Sequence, residues 1–300
     1  MKYFNYFCCL LWACLVPMSC SSTMVEELED TTNMIQLDKN LKVLVLGNSY
    51  SVDGTAYFDH LVKSANLNVF QLCLYNGVIN GGGIQEWLDA YLSKKFVSFN
   101  RVVGKINMMS DGILCEILQQ DWDVVVIMQA SDKSYSWANF EGRIENLINI
   151  IQNECTNKQV RLMYAIPWGH TAASTTRELE GNIICARKLK ENFGISMIPV
   201  GIAIQNARNT SLCNDAYMTR DNWHLCFGAG RYVAACTWYE ALLADVSHVS
   251  IVGNPAIPSL SGNEWNNVTT IPVDESNRLL CQKCAFYAVK DTFRVTNGIR

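Results

Sequence analysis

Two short segments hold the residue types needed for attack on a carbonyl carbon. Near the start, Gly47-Asn48-Ser49-Tyr50-Ser51 follows an apolar run, and late in the chain Asp221-Asn222-Trp223-His224 leads into another. A serine hydroxyl is a weak nucleophile and needs an imidazole to take its proton. A carboxylate on the far ring nitrogen then fixes the tautomer and stabilises the imidazolium. Of the four histidines, only His224 has a carboxylate three positions earlier in a loop that precedes a helix. The expected roles are Ser49 as nucleophile, His224 as base and Asp221 as its orienting acid. Each segment alone also fits a plainer role: Asn48 and Ser49 as turn and cap residues, Asp221 as a turn cap, His224 as a ring packed on aromatics.

A developing oxyanion needs donors. The Ser49 N–H is one, since a serine at the carboxyl end of a strand and the start of a helix turns its own amide toward the same pocket. The run Gly81-Gly82-Gly83 follows a second apolar strand and lets backbone N–H groups approach a ligand, with Gly82 preferred. Gln129-Ala130-Ser131-Asp132 follows a third strand. The side-chain amide of Gln129 is the first choice there for a further donor and the Ser131 hydroxyl the second. The substrate is expected to meet Asn48, Tyr50, His170 and Trp223. Trp87, Trp137 and Trp168 can join Trp223 in a sugar-stacking wall or simply fill the core.

These groups meet only if the chain places them at one end of one sheet. Apolar runs at 42–46, 69–74, 123–128, 160–166 and 195–200 read as strands. Helical patterns at 53–65, 84–92, 111–119, 140–155, 175–193, 228–244 and 274–292 alternate with them, and residues 97–109 are irregular with room for a small hairpin. Such alternation predicts an α/β protein: one three-layer α/β/α domain around a five-stranded parallel sheet, with ligands at the carboxyl ends of the strands.

The order of the blocks resembles the SGNH (GDSL-type) hydrolases over about residues 41–245. Gly-Asn-Ser stands near the N-terminus, glycines follow the second strand, an amide-bearing block follows the third, and a D-x-x-H motif comes late. The words GNSYS, WDVVVIMQAS and DNWHL, with GRY just after, resemble more narrowly a group of SGNH-like lipoproteins of Bacteroidota. The resemblance implies a flavodoxin-like SGNH fold and a serine ester hydrolase that forms an acyl-enzyme. Its substrate would be a small-molecule or carbohydrate ester carrying acetyl or other short acyl groups. A sugar acyltransferase, or a non-catalytic carbohydrate-binding or assembly lipoprotein on the same frame, would share these words. The third block departs from the family's Gly-x-Asn-Asp, which displaces the amide or replaces it by Ser131.

The remaining features concern location and exclude other chemistry. Lys2, an apolar run over residues 7–16 and Ser19-Cys20 read as a lipoprotein signal peptide (1–20), with Cys20 lipidated and the chain exported and held on the membrane of the bacterial cell envelope, or secreted. Residues 21–39 read as a flexible tether and 40–300 as the domain. Of the thirteen cysteines, nine lie beyond Cys20. Most sit in apolar segments as small hydrophobes, with Cys213–Cys226 and Cys281–Cys284 as possible disulfides. The sequence calls for no metal or cofactor, because Cys281-x-x-Cys284 has no second pair. A net charge of −4, with 17% charged residues and no basic stripe, excludes a nucleic-acid partner.

Overall fold

The computed structural model describes residues 34–104, 111–170, 175–213 and 217–300. Its strands are β1 (Leu41–Gly47), β2 (Leu72–Val78), β3 (Phe96–Val103), β4 (Asp111–Ile113), β5 (Val124–Ile127), β6 (Arg161–Ala165) and β7 (Ser196–Ile198). Its helices are α1 (Ser49–Thr55), α2 (Phe58–Ser64), α3 (Ile84–Leu92), α4 (Leu114–Leu118), α5 (Arg143–Glu154), α6 (Thr175–Phe193), α7 (Val200–Arg208), α8 (Ala229–Ser247), α9 (Gly262–Trp265) and α10 (Arg278–Lys290).

The strands form one seven-stranded sheet in the order β4-β3-β2-β1-β5-β6-β7. Strands β2, β1, β5, β6 and β7 are parallel, while β3 and β4 run antiparallel at one edge. The parallel strands are apolar on both faces because helices cover both. Val43, Leu44, Val45 and Leu46 of β1 and all four residues of β5 are buried. The fold is therefore an α/β frame with a mixed sheet flanked by helices, which corrects the expected five-stranded parallel sheet. The five parallel strands are present, and the difference is that the hairpin, for which residues 97–109 left room, joins the sheet as β3 and β4. In β3 the residues alternate between exposed and buried at its start, the pattern of a strand wetted on one face, and a register shift at Leu74/Tyr75 bends its pairing with β2.

Three further differences have local causes. The helix expected over 53–65 is two helices, α1 and α2, and the first begins at Ser49 itself. Helix α7 carries no amphipathic stripe to read, because it is buried on nearly every side between α8 and α10. Within the segment expected as tether, Ile35 bridges Leu67 and Leu37 is buried, so residues 34–39 lie on the domain. Cys20 and residues 21–33 lie outside the described residues. No helix among the described residues is long and apolar enough to cross a membrane.

In chain order the parallel strands are arranged 2-1-3-4-5, so connections diverge between β1 and β5. The crevice at the carboxyl ends of those two strands is where such a sheet binds ligands. Ser49 follows β1 and Gln129 follows β5.

Candidate active site

The turn that carries Ser49 is built by a tight cap. Asn48 is extended and caps α1, its Oδ1 accepting the Tyr50 N–H at 2.9 Å. Its Nδ2 donates to the carbonyls of Gly82 (2.8 Å) and Gln129 (3.3 Å), tying the loops after β1, β2 and β5 together. Ser51 Oγ accepts the Asn48 N–H at 3.1 Å and lies 2.7 Å from both the Asn48 carbonyl and Asn76 Oδ1, one proton serving two acceptors. Gly47 is required by this closeness, since a Cβ there would stand 2.1 Å from Ser51 Oγ. The Asn48 side chain and carbonyl take the N–H groups of Tyr50, Ser51 and Val52, which leaves the Ser49 N–H outside this net.

His224 arrives on a narrow loop from the far end of the chain. Thr219 bridges Leu225, the Arg220 N–H donates to the His224 carbonyl at 2.9 Å, and Asn222 takes a left-handed φ of 68° at the tip. Asp221 Oδ1 accepts the N–H groups of Trp223 (3.0 Å) and His224 (2.7 Å). Its Oδ2 lies 2.7 Å from His224 Nδ1. On the other side of the ring, His224 Nε2 lies 3.0 Å from Ser49 Oγ, across 175 positions of sequence. Burial alone would raise the Asp221 pKa, but the hydrogen bonds from the His224 amide and ring and the Trp223 amide outweigh it and hold the carboxyl below its usual value. An ionised carboxylate on Nδ1 keeps Nε2 as the acceptor facing the serine.

The structure uses two of the expected oxyanion donors otherwise. The Gly82 N–H closes a turn onto the Ile79 carbonyl at 2.8 Å. Gln129 is buried, its Oε1 accepts the N–H groups of Ile84 (3.2 Å) and Ala130 (3.0 Å), and its Nε2 donates to the Asn139 carbonyl at 3.3 Å. A cap for α3 and a strand-end turn both need that amide, and a buried N–H demands a partner before any ligand arrives. Gln129→Ala leaves two buried amides unpaired and is expected to cost about 1–3 kcal/mol of stability, read by chemical denaturation. An unchanged unfolding midpoint would contradict this structural role. Ser131 is partly exposed on the same loop, and its side chain counters part of the burial that pushes the Tyr50 phenol far above its ordinary value.

The expected substrate contacts divide. Asn48 and Tyr50 are buried, and Tyr50 stacks on Trp168 with ring centroids 3.9 Å apart. The Trp168 Nε1 donates to the Trp223 carbonyl at 2.8 Å, so this stack braces the loop that carries His224. Trp87 is buried, with its Nε1 on the Gly47 carbonyl at 3.2 Å, and Trp137 stacks on Phe140. Trp223 alone of these four indoles presents a large exposed face, 45% accessible, beside His224. It packs on His170, ring centroids 4.0 Å apart.

Glu178, on α6, escaped sequence reading because nothing in the residues around it marks its partner. It accepts the His170 N–H at 2.8 Å and sits 3.2 Å from His170 Nδ1. Burial lowers the His170 pKa, and Glu178 opposes the shift without cancelling it. Below a free-histidine pKa of ~6.5 the unfolded chain therefore takes up a proton that the folded chain resists. This contribution to stability is present above that pH and is lost as pH falls through the lower folded value. Tm is expected to drop from pH 7 to pH 5, and less steeply in His170→Gln. Equal slopes would contradict the assignment.

Other histidines stand apart: His60 Nε2 bonds the Ile257 carbonyl at 3.1 Å, and His248 pairs with Asp38 at 3.0 Å. Cys226, Cys281 and Cys284 are buried free thiols, so neither possible disulfide is formed. Burial pushes Cys226 up to about 11 and Cys284 to about 12, which makes them inert. Among the described residues no group of three or more His, Cys, Asp or Glu is arranged to hold a metal ion.

The frame has known relatives. The chain is similar to the crystal structure of a DUF4886 family protein from Bacteroides uniformis, with 25% identity and a TM-score of 0.71, covering 86% of this chain and 97% of that one. It also shares its fold with a catalytic mutant of Axe2, an acetylxylan esterase from Geobacillus stearothermophilus, at 13% identity and a TM-score of 0.50, covering 68% of this chain and 94% of that one. No curated protein matches the chain in sequence. Residues 42–261 match the model of a domain of unknown function, DUF4886, and the chain belongs to that family.

Proposed function

We propose that the protein is a serine ester hydrolase of the SGNH type that removes acetyl or other short acyl groups from carbohydrate. The observation that carries the reading is the relay Ser49 Oγ, His224 Nε2 (3.0 Å), His224 Nδ1, Asp221 Oδ2 (2.7 Å) at the crevice between β1 and β5. Ser49 Oγ attacks the ester carbonyl while its proton passes to Nε2. The imidazolium, held by Asp221, returns that proton to the leaving alcohol, and an acyl-serine remains. Water then repeats the steps, giving its proton to Nε2 and releasing the acid.

The Ser49 N–H at the first turn of α1 is the oxyanion donor this reading relies on, and the Ser131 hydroxyl, on the loop after β5, is its candidate for a second. With Gly82 and Gln129 committed elsewhere, the hole is weaker than one with three donors. One missing donor costs about 10²–10³ in turnover, so a slow esterase is expected.

Carbohydrate is favoured by the Trp223 face beside the base, since indole faces stack on sugar rings. The frame shared with an acetylxylan esterase agrees with this. The reading includes export, with Cys20 as the lipidated residue that anchors the domain to the cell envelope. Acetylated xylo-oligosaccharide incubated with the pure domain tests it: free acetate in proportion to enzyme is expected, with the amount unchanged by added acceptor sugar. Acetyl moved onto the acceptor would replace hydrolysis by transfer. No release from any acetylated sugar, beside turnover of a simple ester, would remove the carbohydrate assignment.

A further inference from the structure

A single carboxylate outside the relay joins the helix of the nucleophile to the loop of the base. Asp53 lies one helical turn after Ser49, on the same face of α1, and is 1% exposed. Its Oδ2 accepts the N–H of Leu225, the residue next to His224, at 2.8 Å and Arg220 Nη1 at 2.9 Å. Its Oδ1 accepts Arg231 Nε at 3.0 Å and Nη2 at 2.9 Å. Arg220 also donates to the Leu225 carbonyl. The two guanidinium groups approach the Phe227 ring, at 4.9 and 4.5 Å from its centroid, and Arg231 reaches Glu264 at 3.2 Å.

A buried carboxylate is costly unless fully bonded, and here both oxygens are saturated by charged or peptide donors. The polar groups around it come from α1, the base loop, α8 and α9. They make a chain of alternating charge, Arg220, Asp53, Arg231, Glu264. The Leu225 amide can reach Asp53 only when the loop is seated at one height over α1. That height also sets the 3.0 Å between Ser49 Oγ and His224 Nε2.

We infer that Asp53 is the positioning residue of the reaction: through the Leu225 amide, Arg220 and Arg231, it fixes His224 over Ser49. This rests on the esterase reading. Asp53 touches no reacting atom and acts only through His224. Asp53→Asn keeps the shape but turns an N–H₂ group toward donors, which frees the loop. A misplacement of about 1 Å can cost 10²-fold in rate.

The test is a double-mutant cycle on p-nitrophenyl acetate hydrolysis, with folding followed by circular dichroism. Asp53→Asn is expected to lower kcat about 30- to 100-fold with KM little changed. In a His224→Ala background the same substitution is expected to change nothing further, because the group it positions is gone. Arg231→Lys, which keeps the charge but loses the fork, serves where Asp53→Asn does not fold. It is expected to give a loss of about 3- to 10-fold that also vanishes without His224. Equal losses in both backgrounds, or no loss with His224 present, would overturn the inference while leaving the esterase reading intact. If Ser49→Ala and His224→Ala both hydrolyse at the wild-type rate, the esterase reading fails and the inference falls with it.

Discussion

Ser49→Ala is expected to lower p-nitrophenyl acetate hydrolysis by about 10³-fold or more, with circular dichroism and Tm near those of the wild type. The hydroxyl is the only atom removed, and it makes its bond to the His224 ring. The cap that shapes the turn comes from Asn48 and Ser51, and these stay in place. What survives is the contribution of binding and of the backbone donor, which in serine hydrolases is a small remnant of the full rate. A variant that keeps a tenth or more of the activity would assign the nucleophile elsewhere.

Asp221→Asn is expected to cost about 10⁴-fold in kcat while the loop keeps its form. The amide oxygen can still accept the Trp223 and His224 N–H groups, as Oδ1 does now. The amide nitrogen then faces His224 Nδ1 and forces that nitrogen to accept. The ring proton moves to Nε2, which can no longer take the serine proton. The hydrogen bonds that hold the Asp221 carboxyl below its ordinary value also set the sign of its pH effect. Its stabilising contribution is present above the unfolded carboxyl value and is lost as pH falls through the lower folded value. The wild type therefore has an acid-side loss of stability that Asp221→Asn lacks, readable as Tm against pH below ~4. A variant with wild-type kcat would contradict the orienting role.

The residues that the sequence marked best are those whose geometry is set within a few positions. Gly47-Asn48-Ser49 announces a strand end and a cap, and both form within four residues. Asp221 and His224 need only a tight turn to share a proton, and the chain makes it with two backbone N–H groups donating to the Asp221 carboxylate. The buried strands are also readable, because residues 43–46 of β1 and all of β5 are unbroken apolar runs.

What escaped depends on partners far along the chain. Gln129 looks like an oxyanion donor in sequence, since an amide at a strand end can face a ligand or a neighbour. Its neighbour is Ile84, 45 positions away. Asp53 has partners at 220, 225 and 231, and no local spacing connects them. Helix α7 is buried on nearly all sides and shows no stripe, and the hairpin for which residues 97–109 left room carries no local sign that it pairs with β2 and widens the sheet. A tertiary setting made each of these, and local pattern carries little of it.

The most telling measurement is the reaction of the domain with a fluorophosphonate, followed by peptide mass spectrometry. It needs no knowledge of the substrate and asks only whether the relay has activated the hydroxyl. One phosphonyl adduct on Ser49 is predicted, lost in Ser49→Ala and strongly slowed in His224→Ala. No adduct at Ser49 under conditions that label an ordinary serine esterase would contradict it, as would labelling that proceeds equally fast without His224.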